Sequence, residues 1–148
     1  MAEEIRLELP ARPEFLSLAR LVVTGAVILD PSFTEERVAD LRLAVSEAAT
    51  NAIEAQQRAN RRTGGDSGIT IRCRMDKASV EVRVSDSGTG FDPEGLVPHP
   101  PVNDPARLDF ERGLGIPLIR LLTDSVDFEP SVAGTTVRMV VNAYPDGS

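Results

Sequence analysis

The apolar residues change period between Thr34 and Val84, from helical to alternating, which sets a long helix before a pair of strands. Val38, Leu41, Val45, Ala48 and Ala52 recur every three or four residues, the spacing of one face of a helix at about 3.6 residues per turn. Thr34 supplies a cap and Glu35 and Glu36 supply acids suited to the start of that helix, which is predicted to run to about Asn60. The stretch Arg61 to Gly68 is polar and contains glycine, as a loop does. Beyond it Ile69, Ile71, Cys73 and Met75 alternate with Thr70, Arg72 and Arg74, and Val80, Val82 and Val84 alternate with Glu81 and Arg83. With Asp76-Lys77 near the turn, these runs predict an antiparallel hairpin with one wet face.

The flanking segments are shorter. Ile5, Leu7 and Leu9 alternate with Arg6 and Glu8, a half-buried strand ended by Pro10. Pro13 suits the first turn of a helix, in which Phe15, Leu18, Val22 and Leu29 recur at roughly helical spacing before Pro31 closes the element. Residues 92–112 carry five prolines and little periodicity, which reads as a functional lid or a disordered loop. Gly115 to Leu122 resumes a helical pattern, and Val126–Phe128 with Thr135–Val141 predicts a closing hairpin before a frayed tail.

A chain of 148 residues without internal repeats fits one domain, taken as residues 1–148. Trp is absent and aromatics are only 4%, so the core must rest on Val, Leu, Ile and Ala. A net charge of −7 argues against direct nucleic-acid binding, which calls for clustered Lys and Arg, and favours a basic protein partner. Cys73 is the sole cysteine, which excludes a disulfide framework within one chain, and it is expected to face the core. The N-terminus has no apolar signal core, and the stretch Leu21 to Leu29 is too short to span a bilayer, so a cytoplasmic location without membrane contact is expected.

Four motifs then fall in order: Glu47-x-x-x-Asn51, Asp86-x-Gly88-x-Gly90, Gly113-x-Gly115 and Gly134-Thr135-Thr136. Glu47 and Asn51 share a helix face about a quarter turn from the buried stripe, where side chains can look into a cleft. An amide oxygen suits Mg²⁺, which keeps several waters and takes phosphate oxygens, and a carboxylate one turn away can orient or deprotonate a hydroxyl. Asp86, where a strand runs out, can accept a hydrogen bond from the exocyclic amine of adenine above the Gly88 and Gly90 turn. The backbone amides of Gly113, Leu114 and Gly115 precede a helix and can meet phosphate, with Arg112 beside them, and Thr135 or Thr136 can sit near Asp86. Each has an ordinary alternative. A polar pair on a helix is usually a solvated face, Asp-Ser-Gly is common turn chemistry, and Arg112 suits a solvated loop charge.

In this order and context the motifs resemble the GHKL (Bergerat-fold) ATPases, with an N box, a first glycine box, a variable ATP lid, a second glycine box and a final Gly-Thr box. Within that superfamily the stretch from Asp40 to Ile53, with Val84–Pro93, Gly113–Arg120 and Gly134–Thr136, is most similar to the anti-sigma-factor serine/threonine kinases of bacterial partner switching. The resemblance implies an α/β two-layer sandwich, with a mixed, mainly antiparallel sheet covered on one face by helices. It implies ATP and Mg²⁺ as cofactors, Glu47 as catalytic base, Asn51 as metal ligand and Asp86 as the adenine reader. Gly88 and Gly90 would shape the turn beneath the base, Gly113, Leu114 and Gly115 would touch phosphate, and Thr135 would lie near the base. The implied partners are a sigma factor and an anti-anti-sigma (STAS) protein phosphorylated on serine, with a homodimer as the common assembly. Arg20 falls where the family tends to carry a partner-contacting arginine, a position that a plain surface arginine also explains. Two departures stand out: Ala55 occupies a position where the family often has histidine, and Pro117 lies just inside the helix after Gly115. Ala55 keeps a second reading open, a non-catalytic module that sequesters a sigma factor or its antagonist. A histidine-kinase reading fits poorly, because His99 lies between two prolines in the lid and not on a helical hairpin.

Overall fold

The structure is a computed structural model and describes residues 3–87, 115–131 and 134–144. Its frame is a five-stranded sheet in the order β1-β2-β3-β5-β4. The strands are β1 (Glu3–Leu9), β2 (Ile69–Asp76), β3 (Ser79–Asp86), β4 (Ser125–Ser131) and β5 (Gly134–Asn142). Every pairing among them is antiparallel, so the mainly antiparallel sheet that was expected has no parallel member among the described residues. A short 3₁₀ turn (Pro13–Phe15) leads into α1 (Leu16–Val27), followed by α2 (Glu35–Thr63) and α3 (Gly115–Leu122). Both α1 and α3 pack on α2, which lies against the sheet.

The ends of α2 follow from local chemistry. The Thr34 side chain accepts the Arg37 N–H at 3.1 Å, satisfying one of the free amides of the first turn. Arg61 and Arg62 sit in the last turn, where positive charge suits the helix dipole. Gly64 then stops the helix in the left-handed region at φ 73°, a conformation that costs glycine little. The helix thus runs one turn further than the sequence pattern suggested. Its N-terminal end is tied to the closing hairpin through Arg37. That guanidinium donates to Asp124 Oδ2 at 2.6 Å and Asp40 Oδ2 at 3.1 Å, and its Nε donates to the Asn142 carbonyl at 3.0 Å.

Helix α2 buries Leu41, Val45, Ala48 and Ala52, as its spacing predicted, together with Ala44, Ala49 and Ile53. They meet Val80, Val82 and Val84 of central strand β3 and Val137, Met139 and Val141 of β5, all in one buried cluster with Ile119 of α3. At α1 the outcome differs from the spacing of its largest residues. The buried positions are Ala19, Val23, Ala26 and Val27, while Leu18, Leu21 and Leu29 are 39%, 69% and 77% exposed. The apolar residues of α1 occupy well over half of its circumference and so do not declare one inner face, and small side chains allow close approach to a neighbouring helix.

The opposite face of the sheet has no helical cover among the described residues. One register row across it reads Arg6, Arg72, Arg83, Arg138 and Asp127, so four arginines stand opposite one another on adjacent strands. Like charges so placed repel. Glu4, Glu81, Asp127 and Glu129 in and around the row offset this by pairing with Arg72, Arg83 and Arg138 at 2.8–3.6 Å.

Candidate functional site

Glu47 and Asn51 lie on the edge of the buried stripe of α2, and both are half-buried. Among the described residues neither side chain takes up a hydrogen bond or an ion pair. No three His, Cys, Asp or Glu side chains gather into a metal cluster among the described residues. Mg²⁺ takes oxygen ligands and keeps several waters, and the group on α2 that would offer it an amide oxygen is Asn51.

Asp86 is the last residue of β3 and the register partner of Thr135 at the start of β5. Successive strand residues point to opposite faces. Asp86 therefore shares the helix-side face with buried Val80, Val82 and Val84, and Thr135 shares it with Val137, Met139 and Val141. Thr136 does not. It faces the open side, where its hydroxyl lies 2.8 Å from Ser85 Oγ. The period of two separates neighbouring threonines that the sequence treated alike, so Thr136 is not brought to the Asp86 side.

The backbone at Asp86 is held from two directions. Gly134 has φ 135°, and a Cβ there would overlap the Asp86 carbonyl oxygen and crowd its carbon and the Ser87 Cα. Only glycine permits that approach without strain. From the helix side, Gln56 Oε1 accepts the Ser87 N–H at 2.7 Å and the Ser87 hydroxyl at 3.1 Å. Gln56 is 2% exposed and is the sole polar residue among the fully buried side chains of the described core. Sequence reading passed over it. The available signal was a polar residue at position 56, four beyond Ala52 on the apolar stripe, where burial without partners would be costly. Gln56 stands five residues beyond Asn51, or about 7.5 Å of helix rise, and Glu47 lies about 6 Å further back. Five residues also turn the helix by about 140°, so Gln56 and the Ser87 it holds lie on a different side of α2 from Asn51.

Arg20 is half-buried. Its guanidinium donates to Ser46 Oγ at 2.9 Å and Ser17 Oγ at 3.4 Å, which brings α1 to the residue before Glu47. Gly115 opens α3, with Pro117 in its first turn as tolerated there. Gly88, Gly90, Arg112, Gly113, Leu114, His99 and the proposed lid lie outside the described residues. Cys73 is buried as expected, and burial pushes its thiol up to about 11, so it stays protonated at neutral pH.

Residues 9–141 match the histidine kinase-like ATPase domain family. A serine-protein kinase RsbW of Listeria monocytogenes is 39% identical over 131 residues, covering 85% of this chain and 79% of that protein. The RsbW of Bacillus pumilus is 32% identical over 139 residues, covering 91% and 83%. The crystal structure of the RsbU and RsbW domains of Rv1364c from Mycobacterium tuberculosis superimposes with a TM-score of 0.64 at 17% identity. That match covers 95% of this chain and 32% of the larger one, and it carries the fold alone. The chain belongs to the histidine kinase-like ATPase domain family, among relatives named serine-protein kinase RsbW.

Proposed function

We propose that this chain is an ATP-dependent serine/threonine-protein kinase and anti-sigma factor that phosphorylates a serine on an anti-anti-sigma STAS partner. The observation that carries the reading is the unpartnered Glu47 and Asn51 pair, half-buried one turn apart on α2 in a chain whose relatives are named serine-protein kinases. Glu47 accepts the proton of the serine hydroxyl as its oxygen attacks the γ-phosphorus, while the bond to the β–γ bridging oxygen breaks and ADP departs. Asn51 holds Mg²⁺, which neutralises phosphate charge during transfer. Asp86 accepts from the 6-amino group of adenine, with Thr135 beside it. Gly88 and Gly90 shape the turn under the base, and Arg112, the last residue of the lid (92–112), meets the phosphates with Gly113, Leu114 and Gly115.

A protein substrate needs a receiving surface beside the base. The exposed Leu18 and Leu21 of α1 and the Arg20 contact to Ser46 support one there. A sigma factor and the STAS partner would compete for this kinase, which we take to be a cytoplasmic homodimer.

Calorimetric titration with ATP and Mg²⁺, followed by phosphotransfer to a STAS protein of the same organism, tests the reading. Glu47→Ala is expected to keep ATP affinity within about threefold and to lose at least about 100-fold in transfer rate, the usual share of a general base. Unchanged transfer would remove Glu47 as the base. Asn51→Ala is expected to abolish the enhancement of ATP binding by Mg²⁺, and an enhancement equal to that of the unaltered chain would remove Asn51 as the ligand. Absence of any saturable ATP binding would leave a nucleotide-free module that sequesters its protein partner.

A further inference from the structure

We infer that Gln56 is a specificity-determining positioning residue, which holds the Asp86–Ser87 peptide so that the Asp86 carboxylate can read the 6-amino group of a purine. The inference rests on the proposed role of Asp86 and extends it to a residue five positions beyond Asn51 that has no part in phosphate or metal binding.

The amide of Gln56 has one orientation that satisfies its surroundings. The Ser87 N–H can only donate, so the atom facing it at 2.7 Å must be oxygen, and the same oxygen takes the Ser87 hydroxyl at 3.1 Å. That leaves Nε2 to donate to Asn60 Oδ1 at 3.0 Å. Asn60 is itself fixed by Ser67, whose N–H reaches Oδ1 at 3.2 Å and whose carbonyl accepts Nδ2 at 2.9 Å. Two amides one turn apart therefore link the end of β3 to the loop that begins β2. Gln56 is 2% exposed whereas Ser87 is exposed, so losing the amide frees Ser87 from the two hydrogen bonds that place it.

Why that matters for the base follows from covalent geometry. The Ser87 nitrogen and the Asp86 carbonyl belong to one planar peptide. Gly134 abuts that peptide from β5, and Gln56 grips it from α2. With both in place the Asp86 backbone cannot rotate, and its carboxylate starts from a fixed Cα. A carboxylate that must meet a single exocyclic amine gains discrimination only if it is held in position before binding.

The probes are ATP and ITP, titrated into the full chain with Mg²⁺. ITP carries a 6-oxo group, which cannot donate to Asp86. The unaltered chain is expected to favour ATP by about tenfold or more, the usual worth of a hydrogen bond to a charged group. In Gln56→Met, close in size but without the amide, ATP affinity is expected to fall about tenfold and ITP affinity less than about twofold, so the preference collapses. An equal fall for both nucleotides, or a preference left intact, would overturn the inference and reduce Gln56 to a packing residue. No preference for ATP in the unaltered chain would overturn the adenine role of Asp86 itself, and this inference with it.

A second measurement does not depend on the variant folding. The Ser87 amide of the unaltered chain is expected to exchange with deuterium at least about 100-fold more slowly than an open loop amide. Free exchange at Ser87 would mean that Gln56 does not hold it.

Discussion

Gly134 carries a demand that no other residue type meets, because its φ of 135° and its contact with the Asp86 carbonyl both exclude a Cβ. Gly134→Ala is expected to cost about 2–3 kcal/mol of stability, the range for strained backbone, and to weaken ATP binding as Asp86 shifts. Urea denaturation beside ATP titration checks both, and a variant with the parent's midpoint would show that the β5 backbone can yield. At this scale much of the site was legible. Glu47 and Asn51 could be placed on one helix edge from their spacing alone, and Asp86 could be placed where β3 ends. Gln56 was missed because a lone polar residue on an apolar stripe has no partner in the sequence, and Ser87 meets it only across 31 positions. Thr135 and Thr136 could not be told apart until the register of β5 against β3 fixed which of them faces the helices.

Among the elements, α2 bears most of the design, carrying the site on one edge, the core on its inner face and the Arg37 tie at its start. Arg37 and Asp124 are only 13% and 12% exposed, and Asp124 Oδ2 also accepts the Asn142 N–H at 2.7 Å. Arg37→Ala therefore strands a shielded carboxylate as well as the Asn142 carbonyl, and a loss of about 2–3 kcal/mol is expected. Thermal melting should register it as a clear fall in Tm, and a melt within a degree of the parent would mean that water replaces the guanidinium at no cost. The long range of this contact, 87 residues, explains why nothing in the sequence singles out Arg37. Helix α1 was the least legible element. Its apolar residues occupy well over half of its circumference, so its orientation was decided by which side could approach α2 most closely, a tertiary choice that periodicity does not record.

For the whole molecule, the described part of the chain is a layered body with one apolar interior and one charged, open sheet face. That face makes stability depend on acid pH in a direction that can be worked out. Burial raises the Glu81 carboxyl, but hydrogen bonds and charge from Arg83 and Arg138 outweigh it and hold Glu81 below the ordinary range. Asp30 is lowered too, first by the Ser32 hydroxyl and then by the Ser32 amide, with the Ala78 amide adding to them against burial. Groups lowered in the folded state stabilise it above their unfolded pKa and release that contribution as pH falls through the folded value. The urea midpoint is therefore expected to lose none of this contribution between pH 7 and 5 and to drop below about pH 4. A midpoint at pH 3 equal to that at pH 7 would contradict the pairing. Protonation would also leave the arginine row uncompensated across four strands. No helix among the described residues is long and apolar enough to cross a membrane.

Among the described residues the strand order leaves β1 and β4 outermost, each with a row of backbone donors and acceptors that no described strand covers. Such rows invite a further chain to add on, which is how open sheets grow into insoluble assemblies. Here Glu3, Glu4, Arg6 and Glu8 crowd one edge, and Asp127, Glu129 and Pro130 occupy the other, Pro130 with no N–H to offer. An incoming strand would have to bury charge at one border and forgo a hydrogen bond at the other.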